Sequence, residues 1–291
     1  FSGSTLFSLL IDAHPDIVAL GDGLNPEILK RRHENFICSC GSKISNCEFW
    51  QSVMEEVRNS GLPFSFADCN MRYSFLNPRI DRLVGRYHHD PLRSSLRSIL
   101  EIGFPFYRRH IELHTARNLA FVRAVLAVSG KKVFLHNTKP LLMLHYLIDR
   151  YSDRIRVINM VRDPRGFVYS AVKRGSTVAD AAARWRRYNK SVRVLLDRIQ
   201  PNQALNLRYE DVCEDANRPL EPVFAFLGVA KHPIPRTILP SEHHVLGNDL
   251  RLRDSLTVRL DESWKSSLSE QDLRVIGQVC GPLAEECGYF I

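Results

Sequence analysis

Arg156-Val157-Ile158-Asn159-Met160-Val161 runs directly into Arg162-Asp163-Pro164-Arg165-Gly166-Phe167-Val168-Tyr169-Ser170-Ala171-Val172-Lys173-Arg174-Gly175. The first six residues are mostly β-branched or apolar and read as a buried strand. Asp-Pro then supplies a helix-opening pair, and Gly175 a stop. The stretch therefore predicts a strand, a sharp turn at Arg162 and a helix over 165–174. The same alternation continues on both sides. Upstream lie a strand at 132–136, a loop Asn137-Thr138-Lys139-Pro140, and a helix reaching Tyr151. Downstream come a helix at 178–199, a strand at 203–208 ending in Tyr209-Glu210-Asp211, and a helix at 217–227. A final helix from Ser269 to Glu286 opens on a Ser-x-x-Asp capping pattern and stops at Gly288.

Strands alternating with helices predict an α/β fold, with a central parallel sheet flanked by helices and ligands at the C-terminal strand edges. Nearer the start, Ile17-Val18-Ala19-Leu20 reads as a further strand ending at Gly21-Asp22, and Asn25-Pro26 caps a brief helix through Arg32. Gly21-Asp22, His136 to Lys139 and Arg162 all fall at predicted strand ends. A helix at 113–128 ends at Gly130. The text from about 33 to 115 is irregular, with aromatic and basic patches such as Arg86-Tyr87-His88-His89, and reads as an insertion or cap where an acceptor is chosen. No repeat, low-complexity segment or linker interrupts the chain, so 1–291 is expected to be a single domain.

The opening residues carry a different signal. Ser2-Gly3-Ser4-Thr5-Leu6 places hydroxyls around a glycine just before the apolar run Phe7-Ser8-Leu9-Leu10-Ile11. A loop entering a helix N-terminus offers unpaired backbone N–H groups and the positive end of the helix dipole, which suits a phosphate or sulfate. An ordinary Ser/Thr helix cap reads the same way in isolation. Such loops follow a buried strand, whereas this chain opens on Phe1. The expectation is that a first strand and any targeting segment lie outside the sequence.

The formal net charge of +8 points to a polyanionic partner. No pattern of an RNA-recognition, zinc-finger or helix-turn-helix module is present, so nucleic acid is not expected. No apolar run approaches the roughly 18 residues of a membrane span. Seven cysteines leave the redox compartment undecided. Cys38, Cys40 and Cys47 lie close together and are open to three readings: reduced thiols, a disulfide, or a zinc site completed by Cys69 or His33. Their spacing matches no standard zinc knuckle, and no metal is assigned on this evidence.

Arg162 at a strand end, with Ser170 and Arg174 on one face of the following helix, can converge on a phosphate. Together with Ser2-Gly3-Ser4-Thr5, this pattern resembles the sulfotransferases that use 3′-phosphoadenosine 5′-phosphosulfate (PAPS). Arg162 with Ser170 eight residues later, and Arg174 beyond it, stand where that family's 3′-phosphate ligands would. The resemblance covers nearly the whole chain. Leu207-Arg208-Tyr209-Glu210-Asp211, Phe226-Leu227-Gly228-Val229, Trp264-Lys265 and Cys287-Gly288-Tyr289 occur as family landmarks in family order. It implies a P-loop NTPase-like three-layer fold with Ser2, Gly3, Ser4, Thr5 and Leu6 at the 5′-phosphosulfate. Tyr209 would lie near the nucleotide, and Arg251, in Gly247-Asn248-Asp249-Leu250-Arg251, would approach the 3′-phosphate. One position departs from the pattern, since Phe1 stands where the family has Arg or Lys. Lys139 is the candidate substitute cation.

Sulfuryl transfer needs an in-line acceptor, a positioned donor and positive charge facing the leaving oxygen. The protein can supply that charge, so the chemistry requires no metal. Asp12-Ala13-His14-Pro15-Asp16 followed by Gly21-Asp22 resembles a tyrosylprotein sulfotransferase stretch whose acidic residue acts as base. Asp22 is thus the first candidate for the general base and His136 the second. His14 is expected to pack at a helix end, and Trp185 and Trp264 are assigned to packing. The acceptor, whether carbohydrate, tyrosine, lipid or small molecule, is not legible. Nor is the compartment; the cytoplasm is the expectation for a bacterial chain. Two other functions remain open: a P-loop kinase or NTPase, against which the missing Gly-x4-Gly-Lys-Ser/Thr counts, and an inactive sulfotransferase-fold module that binds polyanions.

Overall fold

The computed structural model describes residues 3–21, 36–61, 73, 77, 79, 91–137 and 141–291, with backbone alone for 91–95. In chain order its elements are α1 (Ser4–Asp12), β1 (Ile17–Ala19), α2 (Glu48–Asn59), α3 (Pro91–Gly103), α4 (Pro105–Ser129), β2 (Val133–Leu135) and α5 (Leu141–Tyr151). There follow β3 (Val157–Val161), α6 (Pro164–Val172), α7 (Val178–Leu196), β4 (Ala204–Arg208), α8 (Tyr209–Glu214) and α9 (Asn217–Leu227). The chain closes with β5 (Thr237–Ile238), β6 (Leu256–Thr257), α10 (Trp264–Ser267) and α11 (Glu270–Glu286). Helices and parallel strand pairs make the fold α/β, as the alternation in the sequence predicts. The brief helix expected through Arg32 lies outside the described residues. The helix expected from 113 begins at Pro105, which occupies its first turn after the extended Phe104. Tyr107 and Ile111 are buried, so the apolar stripe of α4 starts inside a stretch whose basic residues mask it in the sequence. Among the described residues, no helix is long and apolar enough to cross a membrane.

The chain forms two compact units. One comprises Ser4–Met143 and His232–Thr257. In it β1 and β2 pair in parallel, Ile17 opposite Val133 and Ala19 opposite Leu135. Leu9, Leu10 and Ile11 of α1 are buried with Ile17 and Leu20, which explains the dense apolar run after the opening loop. Asp12 sits at the C-terminal end of α1, where the helix dipole disfavours an anion. Three donors offset that cost. Oδ1 accepts the Ala19 N–H at 2.7 Å, Oδ2 lies 2.6 Å from His243 Nδ1, and Lys131 Nζ is 3.5 Å from Oδ1. His14 is buried beside them and its Nδ1 accepts the Asp16 N–H at 3.0 Å, in the helix-end role expected of it. The β1 line continues past the strand: Leu246 N–H donates to Leu20 O at 2.8 Å, and Gly21 forms a parallel bridge with Leu246.

The other unit comprises residues 1–3, 144–231 and 258–291. Here β3 and β4 pair in parallel along five residues, from Val157 opposite Ala204 to Val161 opposite Arg208. α6, α7 and α11 bury Val161, Val168, Ala171, Ala181, Trp185, Ile276, Cys280 and Tyr289 together. α11 opens on the predicted capping box, with Ser269 and Asp272 each holding the other's backbone N–H.

Gly21 has φ of +77°, and a Cβ there would lie 1.8 Å from Leu246 O. Gly21→Ala is expected to destabilise the protein by more than about 1 kcal/mol, because the exchange stabilises only where the backbone suits alanine. Urea unfolding should show a lower midpoint at unchanged slope. A midpoint equal to that of the parent would remove the close approach from this account.

Candidate functional site

Because Val161 and Arg208 are register partners, the next residues, Arg162 and Tyr209, leave neighbouring strands side by side. Arg162 is only 8% exposed, and its guanidinium lies over the Tyr209 ring at 4.7 Å. Its NH1 donates to Ser170 Oγ at 3.3 Å, across the eight residues noted in the sequence. The Arg162 carbonyl accepts from Trp185 Nε1 at 2.9 Å, fixing the backbone at the strand end. Gly166 faces the same guanidinium, since a Cβ there would come 3.3 Å from Arg162 Nε. Tyr209 also receives the opening loop: Gly3 has φ of +75°, and a Cβ on it would fall 2.1 Å from the ring. Gly3, Tyr209, Arg162 and Ser170 thus form one continuous contact set. Burial pushes the Tyr209 hydroxyl well above the ordinary phenol value, so the ring stays neutral beneath the guanidinium. Arg174, expected on the helix, falls in the turn just past α6, which ends at Val172; it is exposed, and its NH1 reaches the Ser170 carbonyl at 3.2 Å.

The turn carrying Arg162 is locked by groups whose roles the sequence did not reveal. Asp163 caps α6, accepting from Arg165 N at 2.7 Å, and also chelates the Arg165 guanidinium. That guanidinium stacks on Trp264 at 4.4 Å. Trp264 therefore packs, half-exposed, as a cation–π partner. The Asp163 N–H donates to Glu210 Oε1 at 3.0 Å. Glu210 Oε2 accepts from Tyr289 Oη at 2.5 Å, and the same hydroxyl lies 3.0 Å from the Val161 carbonyl. Asp261 faces Arg162 and Lys173, with its carboxyl held below the usual range mainly by its hydrogen bonds to Ser263.

In the unit formed by Ser4–Met143 and His232–Thr257, the first-turn amides of α1 belong to Ser4, Thr5, Leu6 and Phe7 and have no acceptor within the helix. Thr5 is buried, and Gly247 lies so close that a Cβ there would meet Thr5 Oγ1 at 2.9 Å. The side-chain amide of Asn137, a residue the sequence left without a role, donates to Ser4 O at 2.9 Å and to Ser8 Oγ. His136 is half-buried just beyond β2, its ring 6.3 Å from Phe134. Arg251 is 6% exposed and donates to three carbonyls: Ile37 O at 3.1 Å, Gly247 O at 2.7 Å and Asn248 O at 2.9 Å. It staples the loop that presents Gly247 to Thr5. Ser2, Asp22 and Lys139 lie outside the described residues.

Tyr289→Phe deletes the hydroxyl shared by Val161 O and Glu210 while keeping the ring. An order-of-magnitude loss of about 1–3 kcal/mol is expected in equilibrium unfolding, because a buried carbonyl and a carboxylate both lose a donor. A variant as stable as the parent would contradict the bridging role.

Residues 68–233 match the sulfotransferase family. Two solved structures resemble the whole chain. The sulfotransferase domain from the curacin biosynthetic pathway aligns with a TM-score of 0.51 at 15% identity, covering 100% of this chain and 95% of that one. The sulfotransferase domain from the Synechococcus PCC 7002 olefin synthase aligns with a TM-score of 0.51 at 16% identity, covering 100% and 92%. No curated protein matches the sequence. At these identities the structural likeness speaks for the fold, and the family match, which spans more than half of the chain, adds the lineage: the chain belongs to the sulfotransferase family.

Proposed function

We propose that this protein transfers a sulfuryl group from PAPS to a hydroxyl or amine acceptor by in-line displacement. The observation that carries the reading is the 3.3 Å contact between Arg162 and Ser170, with Arg162 seated on Tyr209. A guanidinium and a hydroxyl held together at a strand-to-helix turn suit a phosphate monoester. In this reading Arg162, Ser170 and Arg174 take the 3′-phosphate and Tyr209 borders the nucleotide. The N-terminal turn of α1, with Ser2, Gly3, Ser4, Thr5 and Leu6, takes the 5′-phosphosulfate. Arg251 acts indirectly, by holding Gly247 against Thr5. The whole chain serves as one functional domain, with the acceptor chosen by the 33–115 region.

The acceptor oxygen attacks sulfur while the bond from sulfur to the bridging phosphate oxygen breaks. The electron pair leaves with 3′,5′-adenosine bisphosphate, and the acceptor proton passes to a base. Asp22 is the proposed base, His136 the second candidate, and Lys139 the cation facing the leaving oxygen. The acceptor class stays open among carbohydrate, tyrosine, lipid and small molecule.

Thermal denaturation with nucleotides tests the donor. At about 100 times its dissociation constant, 3′,5′-adenosine bisphosphate should add roughly 2.7 kcal/mol of stability. It should act at concentrations where AMP and ATP do little. Arg162→Ala should weaken the bisphosphate by about tenfold to a hundredfold, the worth of a charge-assisted hydrogen bond, and leave AMP nearly unchanged. Equal responses to all three nucleotides would overturn the proposal. Magnesium-dependent ATP turnover would move the protein to the kinases, and salt-sensitive heparin binding with no bisphosphate response would make it a polyanion-binding module.

A further inference from the structure

Cys38, Cys40, Cys47 and His244 converge, although His244 lies almost 200 residues beyond the last of the three thiols. One ligand atom from each lies within 4.8 Å of every other. Cys40 Sγ is 3.6 Å from Cys47 Sγ, and His244 Nδ1 is 3.7 Å from Cys38 Sγ and 3.4 Å from Cys47 Sγ. A tetrahedral Zn2+ has bonds of about 2.3 Å to sulfur and about 2.05 Å to nitrogen, so S···S edges are about 3.8 Å and S···N edges about 3.6 Å. The three separations above lie within about 0.2 Å of those edges. The sequence had suggested Cys69 or His33 as the fourth ligand; both lie outside the described residues, and the structure supplies His244 instead.

The surroundings are built to hold these four atoms. Cys38 and Cys40 sit in a tight turn closed by Cys38 N–H to Ser42 O at 2.8 Å and Gly41 N–H to Cys38 O at 3.0 Å, with Gly41 at φ of +86°. The Ile37–Lys43 bridge seals its base. Cys47 is the N-cap residue of α2, which fixes its place at the start of that helix. The His244 ring lies face to face on Phe49 at 4.4 Å and 2°, which sets its orientation. Ser39, between two of the cysteines, grips both neighbours of His244: its Oγ donates to His243 O at 2.6 Å and accepts from Val245 N at 2.9 Å. A Cys40–Cys47 disulfide would need a bond of about 2.05 Å and would leave Cys38 and the imidazole unexplained.

We propose that Cys38, Cys40, Cys47 and His244 bind one Zn2+ in a closed Cys3His site. Binding displaces the three thiol protons and takes the imidazole in its neutral form through Nδ1. Four protein ligands complete the tetrahedron, so the metal is structural and holds no substrate. It ties the 38–47 turn to the segment that carries His243 to Asp12, Leu246 to Leu20 and Gly247 to Thr5. The site thereby braces the loop behind the first turn of α1.

Untagged protein purified under reducing conditions, without added metal or chelator, is assayed by plasma mass spectrometry. About one zinc per chain is expected. Replacement of that zinc by Co2+ should give tetrahedral d–d bands in the visible and a thiolate-to-cobalt charge-transfer band in the near ultraviolet. His244→Ala and Cys40→Ser should lose the metal, whereas His244→Cys, which restores four ligands, should keep it. The analysis of the parent protein and its cobalt spectrum decide the matter even if the alanine and serine variants fail to fold. Metal below about a tenth of an equivalent with three titratable thiols would overturn the proposal. So would a Cys40–Cys47 disulfide in non-reducing peptide mapping, or a cobalt spectrum without thiolate bands.

Discussion

The pairing of Val161 with Arg208 is the constraint on which the arrangement of Arg162, Tyr209 and Ser170 depends. In a parallel pair the residues after the last partners emerge at the same height, and here they are Arg162 and Tyr209. A slip by one residue would turn both side chains to the opposite faces and separate the guanidinium from its ring. The register is held from outside the strands. Tyr289, at the far end of the chain, bonds the Val161 carbonyl and the Glu210 carboxylate, and Glu210 in turn holds the Asp163 amide. The turn that aims Arg162 is thus tied to the residues that follow β3, to α8 and to the C-terminus at once. Tyr289 stays protonated as that link requires, because burial and the adjoining carboxylate push its hydroxyl well above the ordinary value.

The α1 unit solves a different problem. A helix whose first-turn amides have no acceptor within the helix is fixed here by its other end and its sides. Its C-terminal end carries a carboxylate, Asp12, that is unfavourable by itself and is secured by the Ala19 amide, Lys131 and His243. Its side is met by Gly247, which lets backbone approach the Thr5 hydroxyl where any side chain would collide. His243 and Gly247 lie on the same short segment, so its placement bears on both ends of α1. That dependence gives Arg251 its meaning. A buried guanidinium shared among three carbonyls acts as a clamp on that segment.

Much of this was legible in the sequence because it follows local rules. The β-branched run into Asp-Pro gave β3 and α6, and the Ser269 capping box gave α11 within a residue. The eight-residue spacing of Arg162 and Ser170 became a contact because one turn and two helical turns separate a strand end from that face of α6. What stayed hidden depends on partners distant in the chain. Tyr289 was visible as a landmark, but nothing local says that its hydroxyl reaches Val161. The start of α4 was obscured because arginines and histidines between its apolar positions blur the helical period. His244 could not be assigned to the three cysteines from spacing, since contacts distant in the chain bring it there: the bridge from Leu246 to Gly21 and the Ser39 bonds to His243 and Val245. The carbonyl partners of Arg251 were hidden for a related reason: they come from the folded loop and from Ile37, far away in the chain.

Charge by itself is a poor guide to where an anion goes, and the arginines around α6 show why. Arg165 is closest in sequence to the helix N-terminus, yet Asp163 neutralises it from two residues away and Trp264 covers its face. Arg174 has a longer reach but stands in water, where an isolated contact is weak and screened by salt. Arg162 differs from both in being largely desolvated, with one face on an aromatic ring and one nitrogen on a hydroxyl. Desolvation raises the strength of any further interaction it makes, and the stacked ring limits the conformations it must give up on binding. The net charge of +8 therefore attracts polyanions without discrimination. Of these three guanidinia, only that of Arg162 is placed by the strand register.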